Sequence, residues 1–175
     1  ERDNRDWAGR PVLAFILDGA QGDDDEAWGG HFALATGRLP ADGRLSDLLV
    51  SNFYTLDSES EKGILPAPVP LDNYLADVNS GQAWYRPSYV MLAILREPRA
   101  ADLVQGALNR IYLQFWRRQI AYQHSTMNCA SISVDTLRAE LARLAPDERT
   151  VVEMRFFDEL SFEHIARLLA LPAST

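Results

Sequence analysis

With 175 residues, 47% of them hydrophobic and 10% aromatic, the chain can bury one good core, or a main domain with a small appendage, which excludes a disordered polymer. A formal net charge of -8 argues against a general polyanion binder, because phosphate binding needs a basic surface. The single cysteine excludes an internal disulfide scaffold, and the longest apolar run, PVLAFIL, is far too short to cross a bilayer.

In chain order, RPVLAFIL (10–17) is a short apolar run closed by DGAQG, the pattern of a buried strand and a turn. The acidic run Asp23, Asp24, Asp25 and Glu26 follows. In AWGGHFALATGRL the residues after the glycine pair are apolar or small and end at another glycine, which suits a second strand. ADGRL (41–45) has turn chemistry, and SDLLVSNFYTLD (46–57) predicts a third strand from its β-branched and aromatic content. From Asp57 to Leu71 the chain turns polar and then proline-rich, a surface loop with extended pieces. LDNYLADVNSG predicts a short helix ended by Gly81, and YRPSYVMLAIL a further strand. Between Ala100 and Tyr122, the residues Val104, Leu108, Ile111, Tyr112 and Phe115 fall at helical spacing, with charges on the other side. A second helix starts near Cys129 and runs through SISVDTLRAELARL to an interruption at Pro146. The remainder has the texture of two short helices. Pro146 suits a helix start, and Ser161 caps LSFEHIARLLA, although Glu163 and His164 leave its capping box imperfect. No internal repeat is visible.

Cys129, the only cysteine, follows an asparagine at a predicted helix start. A thiol becomes a strong nucleophile when helix N-terminal N–H groups or a nearby histidine stabilise the thiolate. The chain has three histidines. His31 sits on a predicted strand directly after WGG, where two glycines let another backbone or a substrate approach closely. His124 lies in the turn before Cys129, and His164 looks like a helix-surface residue. Against a catalytic pairing stands the commoner case, in which a lone cysteine is a small buried apolar residue and a strand histidine is structural.

A strand carrying GGHFALATG, followed far downstream by a long helix and then NCASISVDTLR, resembles the permuted papain-like thiol enzymes. These are circular permutations of the NlpC-type cell-wall peptidases and include the lecithin–retinol acyltransferase group. The resemblance covers roughly residues 10–140. It implies an antiparallel sheet packed by helices, with His31 as general base and Cys129 as nucleophile. A polar residue on the next strand would orient the imidazole, and Asn52 in VSNFYTL is the first choice. The implied chemistry is attack of the Cys129 thiolate on an acyl carbonyl, with His31 taking and returning the proton and the Cys129 N–H helping to hold the oxyanion. The partner is then a peptide, a lipid or another acyl substrate, with no cofactor and no metal.

The acidic run 23–26 lacks the alternating ligands and central glycine of a calcium loop and reads as a solvated loop. It precedes His31 and can bias a site toward cationic substrates. QAWYRPSYVML and NRIYLQFWRRQIAY mix aromatics with arginines, but aromatics at helical spacing are core far more often than base-stacking surfaces.

The C-terminal segment resembles a different family. LAPDER and VVEMRFFDELSFEHIARLL are similar to the last domain of bacterial sigma factors, a helix-turn-helix that contacts the promoter. His164 stands where that family commonly has glutamate, and ALPAST matches the turn into the recognition helix. The likeness stops at Thr175, before the helix whose N-terminal residues read base edges. Residues 136–175 carry five arginines against seven acidic residues and so lack a basic footprint. DNA or RNA polymerase is implied as a partner only where this domain is complete.

The expected architecture is therefore α+β. A papain-like thiol-enzyme-type domain over 1–135 is an antiparallel sheet packed by helices, and a short all-α helix-turn-helix-like tail covers 136–175. The expected function is a thiol hydrolase or acyltransferase acting on an amide or ester. The alternatives are a sigma-factor-like transcription protein with an N-terminal binding module, and a non-catalytic papain-like domain that binds a peptide or lipid. The tail favours the cytoplasm, while a thiol-enzyme domain of this kind also suits the bacterial cell envelope. The chain opens at Glu1 and not at Met, so the lack of a visible leader decides nothing.

Overall fold

The computed structural model describes residues 7–19, 30–54, 67–76 and 87–143. Internal contacts divide the chain into two units, Glu1–Thr136 and Leu137–Thr175. The first unit is mixed α and β, built on one antiparallel sheet.

Strand β1, Pro11–Asp18, is the apolar run of the sequence extended by one aspartate. It pairs with β2, His31–Arg38, which starts at the histidine after the glycine pair. β3 is short, Leu49–Asn52, and pairs with β2. The expected strand over 46–57 begins late because Ser46 and Asp47 form a turn closed by the Leu48 N–H on the Leu45 carbonyl. β4, Ala67–Pro70, is an extended piece of the stretch expected to be a surface loop with extended pieces. Its prolines, Pro68 and Pro70, are tolerated because β4 is an edge strand, where a missing N–H costs the ladder little. The short helix α1, Leu71–Ala76, follows at once; its expected end at Gly81 lies outside the described residues. β5, Ser88–Ile94, takes the other edge, giving the order β4-β3-β2-β1-β5.

Alternation along the strands sends side chains to two faces. On one face Val12, Ala14, Ile16, Ala33, Ala35 and Val50 form a core that Leu48 and the α1 residues Leu71 and Tyr74 complete. Helix α2, Ala100–Trp116, packs on the other face. There the Thr36 hydroxyl donates to Gln105, and Phe53 stacks on Tyr112 with ring centroids 4.6 Å apart. Val104, Leu108, Tyr112 and Phe115 are buried as their spacing predicts, and Ile111 is half-buried. The helix stops short of the expected Tyr122. Arg118 takes a left-handed φ of 54°, which no α-helix continues. Helix α3, Cys129–Leu141, begins at the cysteine, and Ile132, Ser133 and Thr136 are its buried residues within this unit.

β5 carries apolar side chains that face water: Tyr89 is 70% exposed and Met91 50%. Among the described residues nothing pairs with its outer edge. No helix of the described residues is long and apolar enough to cross a membrane. The acidic run 23–26, the expected helices beyond residue 143, the Ser161 cap and His164 all lie outside the described residues.

Candidate active site

The antiparallel register decides which side chains meet. Leu34 pairs with Ser51, so the next residue of β3, Asn52, faces Ala33, and His31 is its diagonal neighbour on the same face of the sheet. Diagonal pairs lie within reach of long side chains, and here the His31 Nε2 and Asn52 Oδ1 are 2.6 Å apart. The amide oxygen can only accept, so Nε2 carries the hydrogen and the lone pair of the neutral ring sits on Nδ1. Both residues are buried, at 7% and 3% exposure, so the ring is fixed in position and in tautomer.

Gly30 is what allows the histidine to start the strand. Its φ is +68°, and a Cβ there would lie 2.6 Å from the Asp18 carbonyl oxygen, so a side chain is excluded on both counts. Asp18 pairs with His31 across β1 and β2 and is itself buried. Its carboxylate accepts the Tyr74 hydroxyl and, at 2.6 Å, the Ser88 hydroxyl, tying α1 and β5 to the strand end beside the histidine.

Cys129 arrives from the other direction, at the first turn of α3. Asn128 is the cap: its Oδ1 accepts the N–H groups of Ala130 at 3.1 Å and Ser131 at 3.0 Å. The Ser131 Oγ reaches back to accept the Asn128 N–H at 2.9 Å, a reciprocal capping box. Asn128 also donates from Nδ2 to the His124 carbonyl at 2.8 Å, which fastens the preceding turn to the helix. Cys129 is therefore the first residue inside a well-capped helix, where the N-terminal partial positive charge favours a thiolate.

The thiol meets His31. Burial pushes the Cys129 pKa up, but a hydrogen bond and charge interaction with His31, the Phe32 main chain and the Tyr122 hydroxyl outweigh it, and the net direction is below the ordinary thiol value. His31, Cys129 and Asn52, named from the sequence, are thus brought together. His124 is solvent-exposed and packs edge-on against the Tyr122 ring, with centroids 5.2 Å apart. The Cys129 N–H, which the resemblance assigns to an oxyanion, donates here to the Tyr122 hydroxyl at 3.2 Å.

Sequence reasoning missed Tyr122 and Asp18. Tyr122 is an aromatic at the end of an amphipathic stretch, indistinguishable there from core. Asp18 looked like the first residue of a turn. Behind Asn52, the buried Ser51 and Tyr112 hydroxyls lie near each other without a partner at ordinary hydrogen-bonding length, and burial raises the Tyr112 pKa. An open cavity of about 460 Å³ sits at the far end of the sheet, between Arg10, Arg38, Arg96 and Pro98, away from the thiol. Arg38 there is already engaged by the Gly9 and Pro98 carbonyls and by Asp102. Among the described residues no group of three His, Cys, Asp or Glu is disposed to hold a metal ion.

No curated protein and no solved structure matches the chain. Residues 135–175 match the family model described as Sigma-70, region 4, so the sigma-factor likeness of the C-terminal segment holds on an independent comparison.

Proposed function

We propose that the sheet-containing unit is a thiol-dependent hydrolase or acyltransferase acting on an amide or ester. The observation that carries this is the chain of contacts from Cys129 to His31 to Asn52, with the His31–Asn52 distance at 2.6 Å. A nucleophile, a base and a group that orients the base are the three parts this chemistry needs. The Cys129 thiol gives its proton to Nδ1 of His31, and its sulfur attacks the carbonyl carbon. His31 then gives its proton to the leaving amine or alcohol, and Asn52 keeps the ring from turning away. In the second half His31 takes a proton from water, or from another acceptor, as that oxygen or nitrogen displaces the sulfur.

A p-nitrophenyl ester tests this directly. The expected result is one equivalent of nitrophenolate released in a burst and an acyl group on the peptide containing Cys129, seen by mass spectrometry. Both should vanish in Cys129→Ala, and the burst should slow at least about a hundredfold in His31→Ala, the low end of general-base contributions. An unacylated cysteine would leave a papain-like binding domain without catalysis, and equal bursts with and without His31 would remove His31 as the base.

A second reading is favoured by the match over 135–175. The segment would then serve transcription initiation, with RNA polymerase or promoter DNA as its partner. Five arginines against seven acidic residues over 136–175 fit a protein partner better than a phosphate backbone. The chain, immobilised, should retain bacterial RNA polymerase in a pull-down. Failure to retain it at low and moderate salt removes this role.

A further inference from the structure

Tyr122 is 4% exposed although it lies in a connection whose neighbours, Ala121 and Gln123, face solvent. The Gln123–Met127 bridge closes the turn that follows it, and this brings Tyr122 back against the start of α3. Its ring is held from one side by the edge of His124, at an interplanar angle of 78°. Its hydroxyl accepts the Cys129 N–H at 3.2 Å.

Filling space would require only the ring. A phenolic oxygen has one hydrogen and two lone pairs, so after accepting the N–H it still has its own proton to give. That proton has a partner in the thiol: the Tyr122 hydroxyl is among the groups that lower the Cys129 pKa. The N–H bond also strengthens the hydroxyl as a donor, because a hydroxyl polarised at its oxygen gives its hydrogen more readily. The donor is therefore placed beside the reacting sulfur and primed by the residue that carries it.

We propose that the Tyr122 hydroxyl is the hydrogen-bond donor that follows the negative charge during acyl transfer, holding the Cys129 sulfur at rest and the carbonyl oxygen after attack. This rests on the thiol chemistry proposed above. In the attack a sulfur lone pair forms the S–C bond and the carbonyl π pair moves onto oxygen. The charge leaves the sulfur for that oxygen, and no proton is gained or lost. The tyrosine O–H, released by a sulfur that is now a neutral thioether-like atom, turns to the oxyanion. When the C=O bond re-forms, the bond to the leaving group breaks, its electron pair takes the proton of the His31 imidazolium, and the hydroxyl returns. Tyr122 stays protonated throughout. It takes over the part expected of the Cys129 N–H, whose hydrogen it occupies.

Two reactions of the same sulfur separate this role from a structural one. Alkylation by iodoacetamide displaces iodide and forms no oxyanion, whereas acylation by a p-nitrophenyl ester forms one. In Tyr122→Phe, which keeps the ring against His124, the pH midpoint of alkylation should rise. The ratio of acylation rate to alkylation rate of the thiolate should fall, by about a hundredfold if the donor matters as oxyanion donors usually do. Tyr122→Met, which removes the donor with an adaptable apolar side chain, should show the same fall and covers the case in which the phenylalanine variant misfolds. An unchanged ratio in a folded variant, with the parent chain still showing a His31-dependent burst, overturns the role of Tyr122 alone. A parent chain with no His31-dependent reactivity overturns the thiol chemistry and this inference with it.

Discussion

Asn52 at the end of β3 is an amide where its neighbours in the strand are apolar or small, and it gives up nearly all contact with water to hold one imidazole hydrogen. Removing it leaves a buried N–H without its partner. Asn52→Ala should therefore destabilise the fold by about 1–3 kcal/mol, read from the urea midpoint, and should also slow Cys129 alkylation as the ring loses its fixed orientation. Gly30→Ala should cost a similar amount, roughly 1–3 kcal/mol, since the left-handed φ and the Asp18 carbonyl both oppose a methyl group. The thiol itself gives a signed pH prediction. Its pKa is depressed, so reactive thiolate should persist below the ordinary thiol pKa of about 8.5. In His31→Ala the opposing effect of burial should lift the alkylation midpoint above the parent value. An identical midpoint in the two proteins would show that His31 does not reach the sulfur.

At the level of the element, the start of α3 is held by Asn128 and Ser131, and the reactive residue is the first to benefit. Asn128→Ala should cost about 0.5–2 kcal/mol in stability. Because fraying of the first turn would weaken the N-terminal field at the sulfur, the alkylation midpoint should rise as well. A stability loss with no change in midpoint would mean that His31 and Tyr122 alone set the thiol. His31 was legible because it follows a glycine pair at the head of an apolar run, and the start of α3 because asparagine, a strong cap, stands just before the only cysteine. β4 was not: Ala67–Pro70 contains two prolines, and only its place at the sheet edge, a tertiary fact, makes such a strand admissible. The end of α2 was equally hidden, since Arg117 and Arg118 are good helix formers and nothing local announces the positive φ.

For the whole molecule, the meeting of His31 and Asn52 depends on strand register, which no spacing in the chain encodes. Tyr122 and Asp18 were illegible for the same reason: their roles depend on partners far away in sequence or on the far side of a turn. The net charge of -8 was legible from the start and governs what the chain can hold at a distance. At near-physiological salt it should give no retardation of double-stranded DNA in a gel-shift titration, because few cations are available to release condensed counterions. Retardation that weakens steeply with added salt would instead reveal a local basic surface.

β5 ends the sheet with tyrosine and methionine turned to water and its outer hydrogen-bonding groups unmatched among the described residues. Such an edge is a template for any extended strand it encounters, and charge offers β5 little protection, for SYVMLAI contains no ionisable acid or base except the tyrosine. Loss of soluble protein on warming should accordingly accelerate with protein concentration, and Met91→Lys should suppress it without altering the burst at Cys129. The handling properties of the molecule would then be set at one margin of the sheet while its chemistry is set at the opposite side of β1.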